Sequence, residues 1–176
     1  MRWVTRRGLH IDRTASAWLI RRFIDPAAAF AFVPADADPA ALDGHTFDMR
    51  GAEYGHEGVR CTFEALLARH GLGGDPALVA LGRVIRDADV PPARARRPEA
   101  AGVAAVLTGI HLTVPDDDEK LRLTAPLYDG LYAYCRATLA DRPAHHGPPR
   151  PRLSYRRRVA AHLAEDEPGG AAGGEG

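Results

Sequence analysis

Residues 3–33 read WVTRRGLHIDRTASAWLIRRFIDPAAAFAFV, and their order decides the fold. Trp3-Val4-Thr5 is short, apolar and β-branched, the composition of a strand. Asp12 then stands where an N-cap would, ahead of a run from Arg13 to Asp25. Within that run Ala15, Trp18, Leu19, Ile20, Phe23 and Ile24 recur at three- and four-residue steps, which predicts a helix with a broad apolar face. Pro26 stops the helix, and Phe30-Ala31-Phe32-Val33 follows as a second strand ended by Pro34. Strand, helix, strand is a βαβ unit, whose crossover favours parallel pairing and a right-handed connection.

Working outward, residues 35–44 form an Asp/Ala/Pro linker or one loose helical turn, and Thr46-Phe47-Asp48-Met49 fits a third strand. Gly51, Gly55 and Gly58 punctuate a loop that ends at Cys61-Thr62. Phe63, Leu66, Leu67 and His70 give the next helix its apolar stripe, and Gly71 closes it. Asp75-Pro76 opens another helix, a cap followed by proline at the first helical position, and Leu78, Leu81, Val84, Ile85 and Ala88 carry it to about Asp89. Pro91-Pro92 breaks it, and Pro98 to Leu112 and Asp117 to Leu139 read as two further helices, the second with a kink expected at Pro126. The expected class is α/β, with a small, mainly parallel sheet that opens on the βαβ unit and is covered by four or five helices. Composition shifts at Asp141, after which five prolines and a glycine-rich end leave little apolar surface to bury. Residues 1–140 are therefore expected to form a single domain, and 141–176 a flexible tail whose one basic island, Tyr155 to Leu163, fits a short helix.

Charge and cysteine usage exclude several function classes. Lys+Arg and Asp+Glu are both 23 in a chain of 176 residues, and zero net charge argues against a partner held by bulk charge, such as nucleic acid or an anionic membrane. Locally the balance breaks: residues 1–22 hold six arginines against the single acid Asp12, whereas residues 23–60 hold Arg50 and Arg60 against seven acids. Lys120 is the only lysine, and arginine's planar fork suits carboxylates and oxyanions. Two cysteines, Cys61 and Cys135, exclude a disulfide scaffold and a four-cysteine zinc ribbon. No run of apolar residues is long enough to span a membrane, and the basic start has no apolar region behind it, so a cytoplasmic location is expected.

The most informative segment runs from Glu53 to Glu64, where Glu53, His56, Glu57, Cys61 and Glu64 crowd together. His56 lies between Gly55 and the Glu57-Gly58 pair, just ahead of a helix start, where backbone can approach a ligand closely. The helix N-terminus beyond offers free N–H groups and a positive dipole end, an anion seat. Cys61 falls at or near the cap, where its pKa should fall, so it is the candidate catalytic thiol. A buried, inert thiol is the alternative for Cys61, helix capping for Glu64, and an exposed turn residue for His56. Gly8-Leu9-His10-Ile11-Asp12-Arg13 forms a second cluster beyond the carboxyl end of the first strand, where ligands of open α/β sheets gather. Asp89 is a third anomaly, an acid beside an apolar stripe at a helix C-terminus, which an arginine partner, a metal or simple exposure would explain. His56, Glu64 and Asp89 are the candidate ligands of a divalent transition metal such as iron, manganese or zinc, and Arg13 and Arg60 the candidate holders of an anion.

Three stretches carry a resemblance. Trp3-Val4-Thr5-Arg6, Ile11-Asp12-Arg13 and Trp18 to Pro26, then Gly55-His56-Glu57-Gly58 with Cys61-Thr62-Phe63-Glu64, and finally Tyr128 to Ala133 together resemble the chromate-resistance family, in its ChrB-type C-terminal domain. Many members of that family read Cys-Pro-Trp where this chain has Ser16-Ala17-Trp18, so any thiol required there is absent here. The resemblance implies a cytoplasmic stress-response domain that handles a small oxyanion such as chromate. One expectation is a metal- or oxyanion-binding domain, with metal-dependent oxidoreductase chemistry. The other is a regulatory module that responds to chromate through DNA or partner contacts without catalysis. Zero net charge and the lack of a basic recognition helix argue against direct DNA contact. A homodimer and no membrane partner complete the expectations.

Overall fold

The computed structural model describes residues 1–89 and 97–140; the Pro91-Pro92 break and everything from Asp141 onward, including the basic island, lie outside the described residues. Strand β1 (Arg2–Arg6) buries Trp3, Val4 and Thr5 in succession, the pattern of a strand covered on both faces. It lies at the centre of a three-stranded parallel sheet of order β2-β1-β3. Trp3 stands opposite Phe30 and Thr5 opposite Phe32 of β2 (Ala29–Val33), while Trp3 and Val4 stand opposite His45 and Thr46 of β3 (His45–Thr46). The β3 entry runs so close to β1 that a Cβ on Gly44 would lie 2.7 Å from the Arg2 carbonyl oxygen, and its φ of +113° also favours glycine.

The third strand is shorter than the Thr46–Met49 expected. Phe47 forms only a bridge to Tyr54, and Asp48 turns into the left-handed region at φ 45°, which ends the ladder. Because the first strand is central, its neighbours lie on opposite sides, and the crevice beyond its carboxyl end is a switch point of the kind where α/β proteins bind ligands.

The crossover helix departs from expectation at both ends. Helix α1 (Ile11–Leu19) starts before Asp12, with His10 at the cap position and no side-chain cap bond. It then widens into one π-helical turn, Ile20–Ile24, closed by the Asp25 N–H on the Ile20 carbonyl at 2.7 Å. Four helices complete the cover: α2 (Thr62–Arg69), α3 (Pro76–Asp89), α4 (Pro98–Thr113) and α5 (Asp117–Ala140), the last continuing through Pro126. Asp75 caps α3 as its sequence demands, accepting from the N–H groups of Ala77 and Leu78 at 2.8 and 3.1 Å.

Helix α1 packs on α2, α3 and α5, so its apolar residues supply the centre of the core with Phe63, Leu66, Leu81 and Ile85. Each such side chain contributes about 1.5–3 kcal/mol by leaving water. Tyr128 on α5 is fully buried, and its hydroxyl donates to the Ile11 carbonyl at 3.0 Å and meets the Thr14 hydroxyl at 2.6 Å, locking α5 to the first turn of α1. Among the described residues no helix is long and apolar enough to cross a membrane.

Candidate functional site

The crevice beyond β1 gathers residues from three elements. Asp12 projects from the first turn of α1, His56 from the loop between β3 and α2, and Asp89 is the last residue of α3. Each offers one donor atom, and the three donors lie within 4.8 Å of one another. Asp12 is 2 % exposed, and its Oδ2 accepts the Thr62 N–H at 2.7 Å while its Oδ1 accepts the Phe63 N–H at 3.0 Å. Its carboxylate thus seats on the first turn of α2, satisfying amides that the helix itself leaves without partners. This corrects the expected anion seat at the start of α2, which the protein's own Asp12 fills. It also explains why Asp12 does not cap α1.

His56 Nε2 lies 3.2 Å from Asp12 Oδ2 and 3.5 Å from Asp48 Oδ1, while its side chain keeps 46 % of its surface exposed. The hydrogen bonds that His56 donates to Asp12 and then to Asp48 outweigh the effect of burial and raise its pKa to about 10, so the ring is an imidazolium at neutral pH. Asp48 also accepts the Arg13 Nε–H at 2.8 Å and the Thr62 hydroxyl at 2.9 Å. Burial alone would raise its pKa, but His56, Arg13 and Thr62 together hold it down to about 2. Asp89 has the opposite fate. Burial and the neighbouring Asp12 charge push it up to about 6, and among the described residues its Oδ1 accepts only the Asp12 backbone N–H, at 3.3 Å. Among the described residues no arginine pairs with it. Among the described residues, three carboxylates therefore share the crevice with one guanidinium and one imidazolium.

The structure brings His56 and Asp89 together and places Glu64 elsewhere. Glu64 accepts the Cys61 backbone N–H at 3.3 Å and the Arg86 Nη1–H at 3.0 Å, so it closes a capping box and pairs with α3. Arg13 is occupied by Asp48 and by the Gly8 carbonyl at 2.8 Å, which removes its fork from anion binding. Arg60 is exposed, on the tight turn that Glu57 and Arg60 close through mutual backbone bonds. The basic opening segment and the acidic, histidine-containing stretch do meet, through Asp48 between Arg13 and His56.

The expectation of an acidic Cys61 is reversed. Its thiol is 1 % exposed, and burial followed by the Asp12 charge pushes its pKa up, overriding the helix end. Cys135, 5 % exposed, is pushed up to about 11, mainly by burial. A thiol reagent at pH 8 is therefore expected to leave both cysteines of the folded protein unlabelled and to titrate both once denaturant is added. Rapid labelling of the native chain would restore Cys61 as a nucleophile.

Asp48 is the residue of the cluster that sequence reasoning misses, where it reads only as part of a third strand; Asp12 belongs to the ligand-gathering His10–Arg13 loop as well as reading as the cap of its own helix. Both stand at carboxyl ends of parallel strands, the signal that singled out the His10–Arg13 loop and would have found Asp48 too. His10, from that same loop, faces α4 instead, with Nε2 3.2 Å from the Thr108 hydroxyl.

Comparison with known proteins adds the family. The model of the ChrB C-terminal domain matches residues 3–135. Protein ChrB of Cupriavidus metallidurans is 42 % identical over 132 residues, which cover 75 % of this chain and 40 % of that relative. The chain thus spans well under half the length of that relative. No solved structure matches it.

Proposed function

Because the chain belongs to the ChrB C-terminal domain family, the chromate-resistance family its sequence resembles, we propose that it binds a divalent transition metal through Asp12, His56 and Asp89. One observation carries the reading: three donors from three separate elements converge where, among the described residues, negative charge exceeds positive, and burial beside Asp12 disfavours the Asp89 charge, which a dication would relieve. The donor set, two carboxylates and one imidazole, suits manganese, iron or zinc. Asp48 and the amides of α2 would orient the ligands from behind, as outer partners do in metal sites. A bound iron or manganese would supply a redox centre, and metal-dependent oxidoreduction drawing on an external electron donor is the reaction class we assign. A buried Cys61 leaves no thiol nucleophile in the crevice. Arg13 is engaged and the helix end filled, so a metal held by Asp12, His56 and Asp89 would supply the positive charge that chromate or another oxyanion needs there.

Calorimetric titration with manganese and zinc, backed by metal analysis, tests this. One equivalent is expected to bind, His56→Ala to abolish uptake, and Glu57→Ala to preserve it, because Glu57 is occupied by Arg69 at 2.9 Å. His56 must lose its proton to become a ligand. Affinity is therefore expected to rise about tenfold per pH unit between roughly pH 7 and pH 9, with about one proton released per metal, read from buffers of different ionisation enthalpy. No uptake of either metal by the unmodified protein would overturn the proposal.

A further inference from the structure

On the other side of α1 lies a second cavity that shares no residue with the acidic cluster. It has a volume of about 210 Å³ and is walled by Thr14, Ala17, Trp18 and Phe30, with Leu121 and Ala125 of α5 opposite. Three charged side chains, Arg21, Arg22 and Asp129, stand at its mouth. Both arginines belong to the π-helical turn, and π-turns are frequent at functional sites.

The charges are not self-cancelling. Asp129 accepts the Trp18 indole N–H at 2.9 Å and lies 3.7 Å from Arg22 Nε, so one carboxylate answers one guanidinium. Among the described residues Arg21 is left without a carboxylate partner. Its guanidinium rides over the Phe30 ring, 4.8 Å from the centroid, and makes one long bond of 3.4 Å to the Ala28 carbonyl. An exposed fork laid on an aromatic wall keeps its paired donors for a carboxylate while the wall takes an apolar body.

Size then narrows the ligand. An apolar cavity of about 150 Å³ accommodates benzene, so this one has room for a single ring and one substituent. We propose that the pocket between α1, β2 and α5 is a binding site for a small aromatic carboxylate, its ring among Trp18, Phe30, Ala17 and Leu121 and its carboxylate on Arg21. The proposal is independent of the metal.

Sodium benzoate is the probe, with benzyl alcohol as the uncharged control and acetate as the ring-free one. Calorimetry of the full chain should show benzoate binding with Kd at or below about 1 mM, at least tenfold tighter than either control. Indole fluorescence should change in parallel, since Trp18 lines the pocket while Trp3 is fully buried elsewhere. Arg21→Gln should weaken benzoate at least tenfold and leave benzyl alcohol unchanged. Ala17→Met and Ala125→Leu, from opposite walls, should each abolish binding, with a cooperative thermal transition as the check that the variant is folded. Absence of benzoate binding at about 20 mM, equal affinity for benzoate and benzyl alcohol, or benzoate affinity unchanged in both filled-wall variants would each overturn the proposal.

Discussion

Asp12→Ala is expected to cost about 3–5 kcal/mol of stability, to lower the melting temperature by roughly 10 °C or more, and to eliminate metal uptake. The size follows from what the carboxylate does. It is buried, and it accepts the Thr62 and Phe63 N–H groups, the Ser16 hydroxyl at 3.4 Å and His56. Alanine leaves two amides at the first turn of α2 buried without acceptors and removes the charge that holds His56 protonated. Asp12→Asn separates the two roles. Its carbonyl oxygen serves one amide while its NH2 opposes the other, so it should recover part of the stability and none of the metal binding. Thermal denaturation with and without manganese reads both, and wild-type stability in Asp12→Ala would refute the structural role.

Asp117→Ala is expected to be of similar size, about 3–5 kcal/mol, for a different reason. Asp117 opens α5 and accepts the Gly8 and Leu9 N–H groups at 2.8 and 2.9 Å, fastening α5 to the loop that carries His10 and Asp12. Its Oδ1 also accepts the Lys120 ammonium at 2.8 Å, and the lysine side chain is only 4 % exposed. Removing Asp117 strands a buried positive charge, whereas Asp117→Ala combined with Lys120→Met should regain much of the loss in urea denaturation. Burial would raise the Asp117 pKa, but Lys120 and the two amides hold it below the ordinary carboxylate range. The sign of its pH dependence follows. The stabilisation is complete above the unfolded carboxylate pKa of about 3.9 and is lost as pH falls through the lower native value. The acid limb of the wild-type stability curve should therefore flatten in the variant.

These two residues show where legibility ended. The βαβ opening, the cap of α3 at Asp75-Pro76 and the five helices were readable because periodicity and capping are local properties of the chain. The capping box of Cys61 and Glu64 is the alternative that the same local spacing offers, against the reading of Glu64 as a metal ligand. Burial is not local, and it decided against the sequence at Cys61, whose position at a helix start promised an acidic thiol and whose environment raises the pKa instead. Asp12 illustrates the same limit. Its residue type and place before an apolar run predict a cap for its own helix, whereas its carboxylate accepts amides of a helix 50 positions further along the chain.

By itself, then, the sequence determined the α/β class and the parallel crossover, since each rests on spacing within a few residues or on the order of neighbouring elements, and it pointed to the region of the candidate site. It also singled out His56 and Asp89, one from its glycine-flanked loop and the other as a misplaced charge. Only the tertiary structure decided the rest: that Glu64 answers Arg86, that Arg13 and Asp48 neutralise each other, and that Asp12 joins His56 and Asp89 in one crevice. Those pairings bring together residues 22 to 77 positions apart, and they depend on how α1, α2 and α3 pack around the central strand. Electrostatic partnership is set by distance in space and by exclusion of water, and neither is written in the local pattern of the chain.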